Sequence, residues 1–434
     1  MKKIFLSIAL LVSVALKAQE TVYPSPKQTD PILITNGIIH VGNGQVFDRT
    51  SILIQDGKIT QVGTSITAPA GAQTIDAQGK HIYPGLILAS TDLGLVEVPS
   101  VRASNDAQEI GTLNPSIRSI VAYNTDSKVT NTLRAQGILL ANIVPEGGVV
   151  SGSSSVVQLD AWNWEDAAYK MDNGIHINMP SLMARPGGGR FARVSGDQPP
   201  VDPVKQGLEQ VDQLKSYLQE AKAYATEKTH AETNLKFAAV EGLFDKSQKL
   251  FVHANTVKQM LVALDFVKTF GVDMVIVGGS DSWQIADLLK QNNVAVILNQ
   301  THTLPTSEDD DVDQPYKTPA MLQKAGVLFA ITDDHGETRG RNLMYNAGTA
   351  AAYGLTKDQA LQAITLNAAK ILGIADKAGS IEPGKDANIF LSTGDILDMR
   401  TSVVTDAFIQ GRKINLDNKQ KQLYERYKHK YNLQ

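Results

Sequence analysis

The chain has 434 residues, 42% hydrophobic and 20% charged, with 41 Lys and Arg against 45 Asp and Glu and a formal charge of −4. Such a chain buries a sizeable core in two or three domains, or in one large barrel with an appendage; a disordered tail protein, a collagen-like rod and a small disulfide-stapled module are excluded. The balance gives no electrostatic reason to bind nucleic acid or an anionic membrane surface, and the lack of cysteine excludes thiol nucleophiles, disulfides and zinc sites built from four thiolates.

The first 18 residues read as an export signal: Lys2 and Lys3 form the positive start, Ile4 to Leu16 the apolar stretch, and Ala18 the small residue at the cleavage point. The product is expected to be exported, either periplasmic or secreted. After a linker over 19–31, short β-branched runs are separated by Asn36-Gly37, Gly42-Asn43-Gly44 and Asp56-Gly57, which are hairpin signals. Strand-like runs return at Ala387 to Leu391 and Val403 to Gln410. Neither block alone buries a face, so residues 32–83 plus 379–414 are expected to form one composite β-sandwich domain.

Between the two blocks, over 84–378, buried-strand candidates alternate with helices. The strands are Ile138 to Val144, Leu250 to His253, Met274 to Val277, Val294 to Leu298 and Val327 to Ile331. The helices are Lys205 to Thr229, Ser282 to Gln291, Pro319 to Lys324 and Asp358 to Leu372. Alternation of this kind argues for βα units and a barrel of eight strands. The spacing of Leu208, Val211, Leu214, Leu218, Ala221 and Tyr224 predicts one inward face on the longest helix. Gly187-Gly188-Gly189 and Asp197 to Pro203 read as a surface excursion rather than a phosphate loop, because no flanking strand and Lys-Ser/Thr pair accompany them. Residues 415–434 read as a helical tail.

Ile59-Thr60-Gln61-Val62-Gly63, Asp76-Ala77-Gln78-Gly79-Lys80 and Tyr83-Pro84-Gly85-Leu86-Ile87 resemble the entry to the barrel in the amidohydrolase superfamily. Asn367-Ala368-Ala369-Lys370-Ile371-Leu372-Gly373 and Gly379-Ser380-Ile381-Glu382-Pro383-Gly384-Lys385-Asp386-Ala387 resemble its exit. The resemblance is nearest to imidazolonepropionase-like amidohydrolases. It implies an α/β fold, a (β/α)8 TIM barrel with the composite β-sandwich. It also implies a hydrolase acting on carbon–nitrogen bonds other than peptide bonds, in a small amide or cyclic amide. Its partners would be a small-molecule substrate and a second copy of the chain or a related amidohydrolase.

In that superfamily a Zn²⁺-type ion at the barrel mouth lowers the pKa of water from 15.7 to about 7. The resemblance implies a His-x-His pair after strand 1, a modified lysine or Glu after strand 4, histidines after strands 5 and 6, and an Asp after strand 8 that shuttles the proton. Here the strand 1 pair falls on Ser90-Thr91-Asp92 and the strand 6 histidine on Gly278, and no strand 4 lysine is found. His253 keeps the strand 5 position; the strand 8 acid is Asp334, with Asp333 one residue away as the alternative. The expected site is therefore degenerate: one divalent ion, Zn in the first instance, held by Asp92, His253 and His302, with Asp334 catalytic. His335 is a further donor, and His253 reads equally well as a hydrogen-bonded structural histidine. The acidic run Glu308, Asp309, Asp310, Asp311 and Asp313 reads as solvated loop, since it lacks the spacing of a calcium loop. Three functions compete: a metal-dependent hydrolase, a non-catalytic barrel acting as pseudoenzyme or binding subunit, and metal-free catalysis by the Asp92/Asp334 pair.

Overall fold

The computed structural model describes residues 22–182, 202–227, 229–333 and 339–433. Residues 1–18, expected as an export signal, the Gly187-Gly188-Gly189 stretch, Asp334 and His335 lie outside the described residues.

The first sheet opens with β1 (Ile32–His40), β2 (Val46–Gln55), β3 (Lys58–Gly63), β4 (Gln73–Asp76) and β5 (His81–Pro84). The Asp56-Gly57 and Gly42-Asn43-Gly44 turns join their strands as expected, with Asp56, Gly57, Gly42 and Gly44 all at positive φ. Asn36-Gly37 does not form a hairpin turn; β1 runs through it as one strand. Asn36 adopts φ 56, which kinks β1 so that its first half pairs with β4 and its second with β5, both parallel. A Cβ at Gly37 would stand 2.4 Å from Ile82 Cδ1, so a larger residue there would push the buried Ile82 side chain aside.

The barrel follows, from β6 (Leu86–Thr91), β7 (Ile138–Ile143), β8 (Val150–Gln158) and β9 (Ala168–Asn178) to β10 (Lys249–Ala254), β11 (Met274–Gly278), β12 (Ala295–Leu298) and β13 (Phe329–Ile331). These eight strands hydrogen-bond in chain order as one nearly closed sheet. Strand β8 is antiparallel to both neighbours. The links over 144–149 and 159–167 are too short for a parallel crossover, which needs a dozen or more residues. Gly147 and Gly148, both at positive φ, reverse the chain in the first link. The ends of the sheet meet through Thr332, whose hydroxyl accepts from the Ser90 N–H at 3.2 Å and donates to the Ser90 carbonyl at 2.9 Å.

Alternate residues divide the barrel strands between two cores, as a period of two requires. Ile87, Ala89, Leu140, Val156, Phe251, Val275, Ile297 and Ala330 share one core inside the barrel. Leu88, Ala141, Val252, Ile276, Val296 and Ile331 pack outward in another.

The helices of six or more residues are α1 (Lys128–Arg134), α2 (Pro203–Thr226), α3 (Val257–Phe270), α4 (Ala286–Gln291), α5 (Gln314–Ala325), α6 (Leu343–Ala352), α7 (Lys357–Ala363), α8 (Leu366–Leu372) and α9 (Lys419–Tyr431). The run expected as one helix over 358–372 breaks at Ile364 and Thr365. Helix α8 then closes the inner core with Ala368, Ala369, Ile371 and Leu372. Lys249 and Lys170, on barrel strands, donate to its last carbonyls, Ile371 at 2.7 Å and Gly373 at 3.1 Å. On α2 the inward face is as expected at Val211, Leu214, Leu218 and Ala221, but Leu208 is exposed and Gly207 and Tyr217 are buried instead.

Strands β14 (Ile389–Ser392), β15 (Val404–Ile409) and β16 (Arg412–Lys413) return to the first sheet, β14 pairing with β5. The two ends of the chain thus share one sheet. Buried Asp160 fastens it to the barrel, accepting from Arg134, from Arg412 Nη1 at 3.0 Å and from the Ser25 N–H at 2.9 Å. Among the described residues no helix is long and apolar enough to cross a membrane.

Candidate active site

The C-terminal ends of the barrel strands surround a cavity of about 420 Å³, the end at which barrel loops carry chemistry. Ser90, Thr91 and Asp92 reach it from the end of β6, Asn178 from β9, His253 and Asn255 from β10, Val277 and Gly278 from β11, and Asn299 from β12. Gln108 and Glu146 line it from the loops. Asp92 and His253, expected together, are brought together here, and Asp92 is buried.

His253 is held from below. Strand β9 carries Gly174, His176 and Asn178 on its inner face, opposite Lys249, Phe251 and His253 of β10. The His176 ring stacks on Phe251 at 4.7 Å, and its Nδ1 lies 2.9 Å from His253 Nε2. Burial first, and then His253, push the His176 pKa well below its ordinary value, so this ring is neutral. Its Nε2 is buried without a hydrogen-bond partner. A buried orphan N–H is costlier than an orphan lone pair. His176 therefore carries its hydrogen on Nδ1 and donates to His253 Nε2.

The other expected residues lie elsewhere. His302 is not brought to the cavity: its Nε2 is 2.7 Å from Thr349 Oγ1 and its ring meets Tyr316 edge-on. The loop turns away after β12 because Asn346 Oδ1 accepts from the Thr301 and His302 N–H groups. Asp333 is buried beside Arg339, 3.5 Å from its Nε, and also faces the Asn346 amide. In the acidic run, Lys317 pairs with Asp311 at 3.0 Å and Asp313 at 2.7 Å. Asp310 faces a small hollow beside the mouth with Asp281, whose pKa is raised by burial.

A family model described as the amidohydrolase family matches residues 207–414. An imidazolonepropionase of Mesorhizobium japonicum is 25% identical over 394 residues, 82% of this chain and 88% of the relative. The solved structure of an amidohydrolase from Thermotoga maritima MSB8 superposes with a TM-score of 0.76 at 25% identity, covering 88% of this chain and 99% of that one. The chain is similar in sequence and in fold to the amidohydrolase superfamily. A dihydroorotase of Mycobacterium tuberculosis is 26% identical over 165 residues, 35% of this chain and 37% of the relative.

Amidohydrolase-superfamily members typically use a divalent metal, but the donors described here do not fit one. Among the described residues no three His, Asp or Glu side chains gather as a metal-holding group. The nitrogen His253 would offer through Nε2 is engaged by His176. At strand 4 stands Asn178, whose Nδ2 donates to the Gly148 carbonyl at 2.9 Å and Ser151 Oγ at 3.0 Å. The trio of Asp92, His253 and His302 is thus not assembled. His176 and Asn178 were missed because their strand was; the alternation Gly174-Ile175-His176-Ile177-Asn178 is the signal that marks it.

Proposed function

We propose that this chain is an exported hydrolase of carbon–nitrogen bonds other than peptide bonds, acting on a small amide or cyclic amide in the mouth cavity. The observation that carries the reading is the convergence of Asp92 and His253, from the first and fifth barrel strands, on that one cavity. Its superfamily relatives support the bond type. Asp334, the proton carrier that the resemblance implies, lies outside the described residues; of the two described carboxylates that line the cavity, Asp92 is buried and Glu146 exposed, and we place the proton step on Asp92. The Asp92 carboxylate takes a proton from water as the water oxygen bonds to the carbonyl carbon. It returns that proton to the nitrogen as the C–N bond breaks. His253, held by His176, orients the amide beside it.

Hydrolysis of a panel of neutral amides and ring amides by the purified full chain tests this. Asp92→Asn should lower kcat/KM by about 10²–10⁴-fold with an unchanged far-UV circular dichroism spectrum; an unaltered rate would overturn the assignment. A binding barrel without turnover is the second reading, favoured by the lack of a three-donor group among the described residues. It predicts saturable binding at the mouth with no product.

A further inference from the structure

We propose that the mouth has been rebuilt as a carboxamide-lined site that holds an uncharged, amide-bearing ligand directly, without a metal ion. The proposal rests on the cavity assigned above and names what that cavity selects.

The decisive place is the end of β11. Gly278 has φ +94, and a Cβ added to it would stand 2.3 Å from Asn255 Oδ1 and 3.1 Å from its Cγ. The Asn255 carboxamide therefore fills the space that any side chain at 278 would enter. It is fastened there: Ser280 Oγ donates to Asn255 Oδ1 at 3.1 Å, and the Asn255 backbone binds Gln259 Oε1 at 3.0 Å and the Asp281 N–H at 2.9 Å. A ligand lost by simple erosion leaves a gap, whereas here a different polar group is packed into place. Asn178 stands at the corresponding end of β9, Asn299 at that of β12, and Gln108 lies on the wall.

A carboxamide carries an acceptor oxygen and donor N–H groups side by side, and a ligand amide carries the matching pair; Asn178, whose Nδ2 is held by the Gly148 carbonyl and Ser151 Oγ, contributes its oxygen. A carboxylate offers acceptors only and meets half of that set. Charge points the same way. The described lining contains Asp92 and Glu146 and no Lys or Arg, so an anionic ligand is repelled and gains no counter-ion.

Calorimetric titration of the full chain with N-acetylglycinamide and N-acetylglycine, a pair differing in amide against carboxylate, tests the proposal. The amide should bind at least about tenfold tighter than the carboxylate, equally with chelator and with added Zn²⁺. Asn255→Ala and Asn178→Ala should each weaken it about tenfold. Binding that needs Zn²⁺, equal affinity for the carboxylate, wild-type affinity in both variants, or no binding of either probe at about 10 mM would each overturn it. Metal-independent amide binding without turnover keeps this proposal and sinks hydrolysis. Turnover only with Zn²⁺ keeps hydrolysis and sinks this proposal.

Discussion

Gly174→Ala tests how tightly the barrel interior is coupled to the mouth. Gly174 lies on the inner face of β9, and an added Cβ would stand 2.3 Å from Phe251 Cε2 and 2.5 Å from the Lys249 carbonyl oxygen. Phe251 is fully buried, and His176 stacks on it with 4° between the ring planes. The Phe251 ring cannot retreat without moving His176, and His176 is what fixes His253. Overpacking of a dense core costs about 1–3 kcal/mol. The backbone oxygen, which has little freedom to yield, places this substitution near about 3 kcal/mol. Urea unfolding followed by the fluorescence of Trp162, Trp164 and Trp283 measures the loss. Phe251→Leu alone should cost about 1–2 kcal/mol. The double variant should be more stable than the sum of the singles predicts, by at least about 1 kcal/mol, because the smaller side chain admits the methyl group. A loss below about 0.5 kcal/mol for Gly174→Ala, or strict additivity, would refute the steric argument.

Other expectations follow from buried polar groups. Thr332→Val removes both hydrogen bonds across the barrel seam and leaves the Ser90 N–H buried. It should cost about 2–3 kcal/mol, with Thr332→Ser recovering most of it in the same urea assay. Asp160→Asn strips the counter-charge from Arg134 and Arg412 and should cost about 3–5 kcal/mol by the same measurement; a loss under about 1 kcal/mol would refute its fastening role. His40 packs against Tyr83 at 4.4 Å and lies 2.8 Å from His81, and burial, then His81, lower its pKa from 6.5 to about 4. The unfolded chain therefore binds a proton between pH 6.5 and 4 that the folded chain does not, so stability is complete above pH 6.5 and falls as the pH drops through that window. His40 is only partly buried, so its share is about 1–2 kcal/mol after solvent screening. His40→Gln should flatten the pH dependence of the unfolding midpoint, and an unchanged slope would count against it.

Much of the fold was legible because it is written in local signals. The β-branched runs before Asp56-Gly57 and Gly42-Asn43-Gly44 mark hairpins, and the apolar runs at 250, 274 and 294 mark barrel strands. Strand β8 was not legible. Its Ser151-Gly152-Ser153-Ser154-Ser155 segment is small and polar and reads as a linker, yet it is wholly buried. Its hydroxyls are satisfied across the pair, Ser154 Oγ bonding Asn173 Oδ1 at 2.9 Å and Ser153 Oγ bonding Asp172 Oδ1 at 2.7 Å. At the site, Asp92 and His253 follow recognisable strands, so their meeting could be anticipated. The place of His302 could not, since it depends on Asn346 capturing the loop from a distant helix. Nor could the filling of the strand 6 position by Asn255. A glycine in the sequence reads as a missing ligand, and only the packing shows that another side chain has taken its space.

The most direct test of a mouth that works through its own side chains is the metal content of the purified full chain. It is measured by elemental mass spectrometry after incubation with excess Zn²⁺ and removal of free ion. The expected result is far less than one ion per chain, with the same residual content in His253→Ala. Stoichiometric metal that is lost in His253→Ala would contradict it.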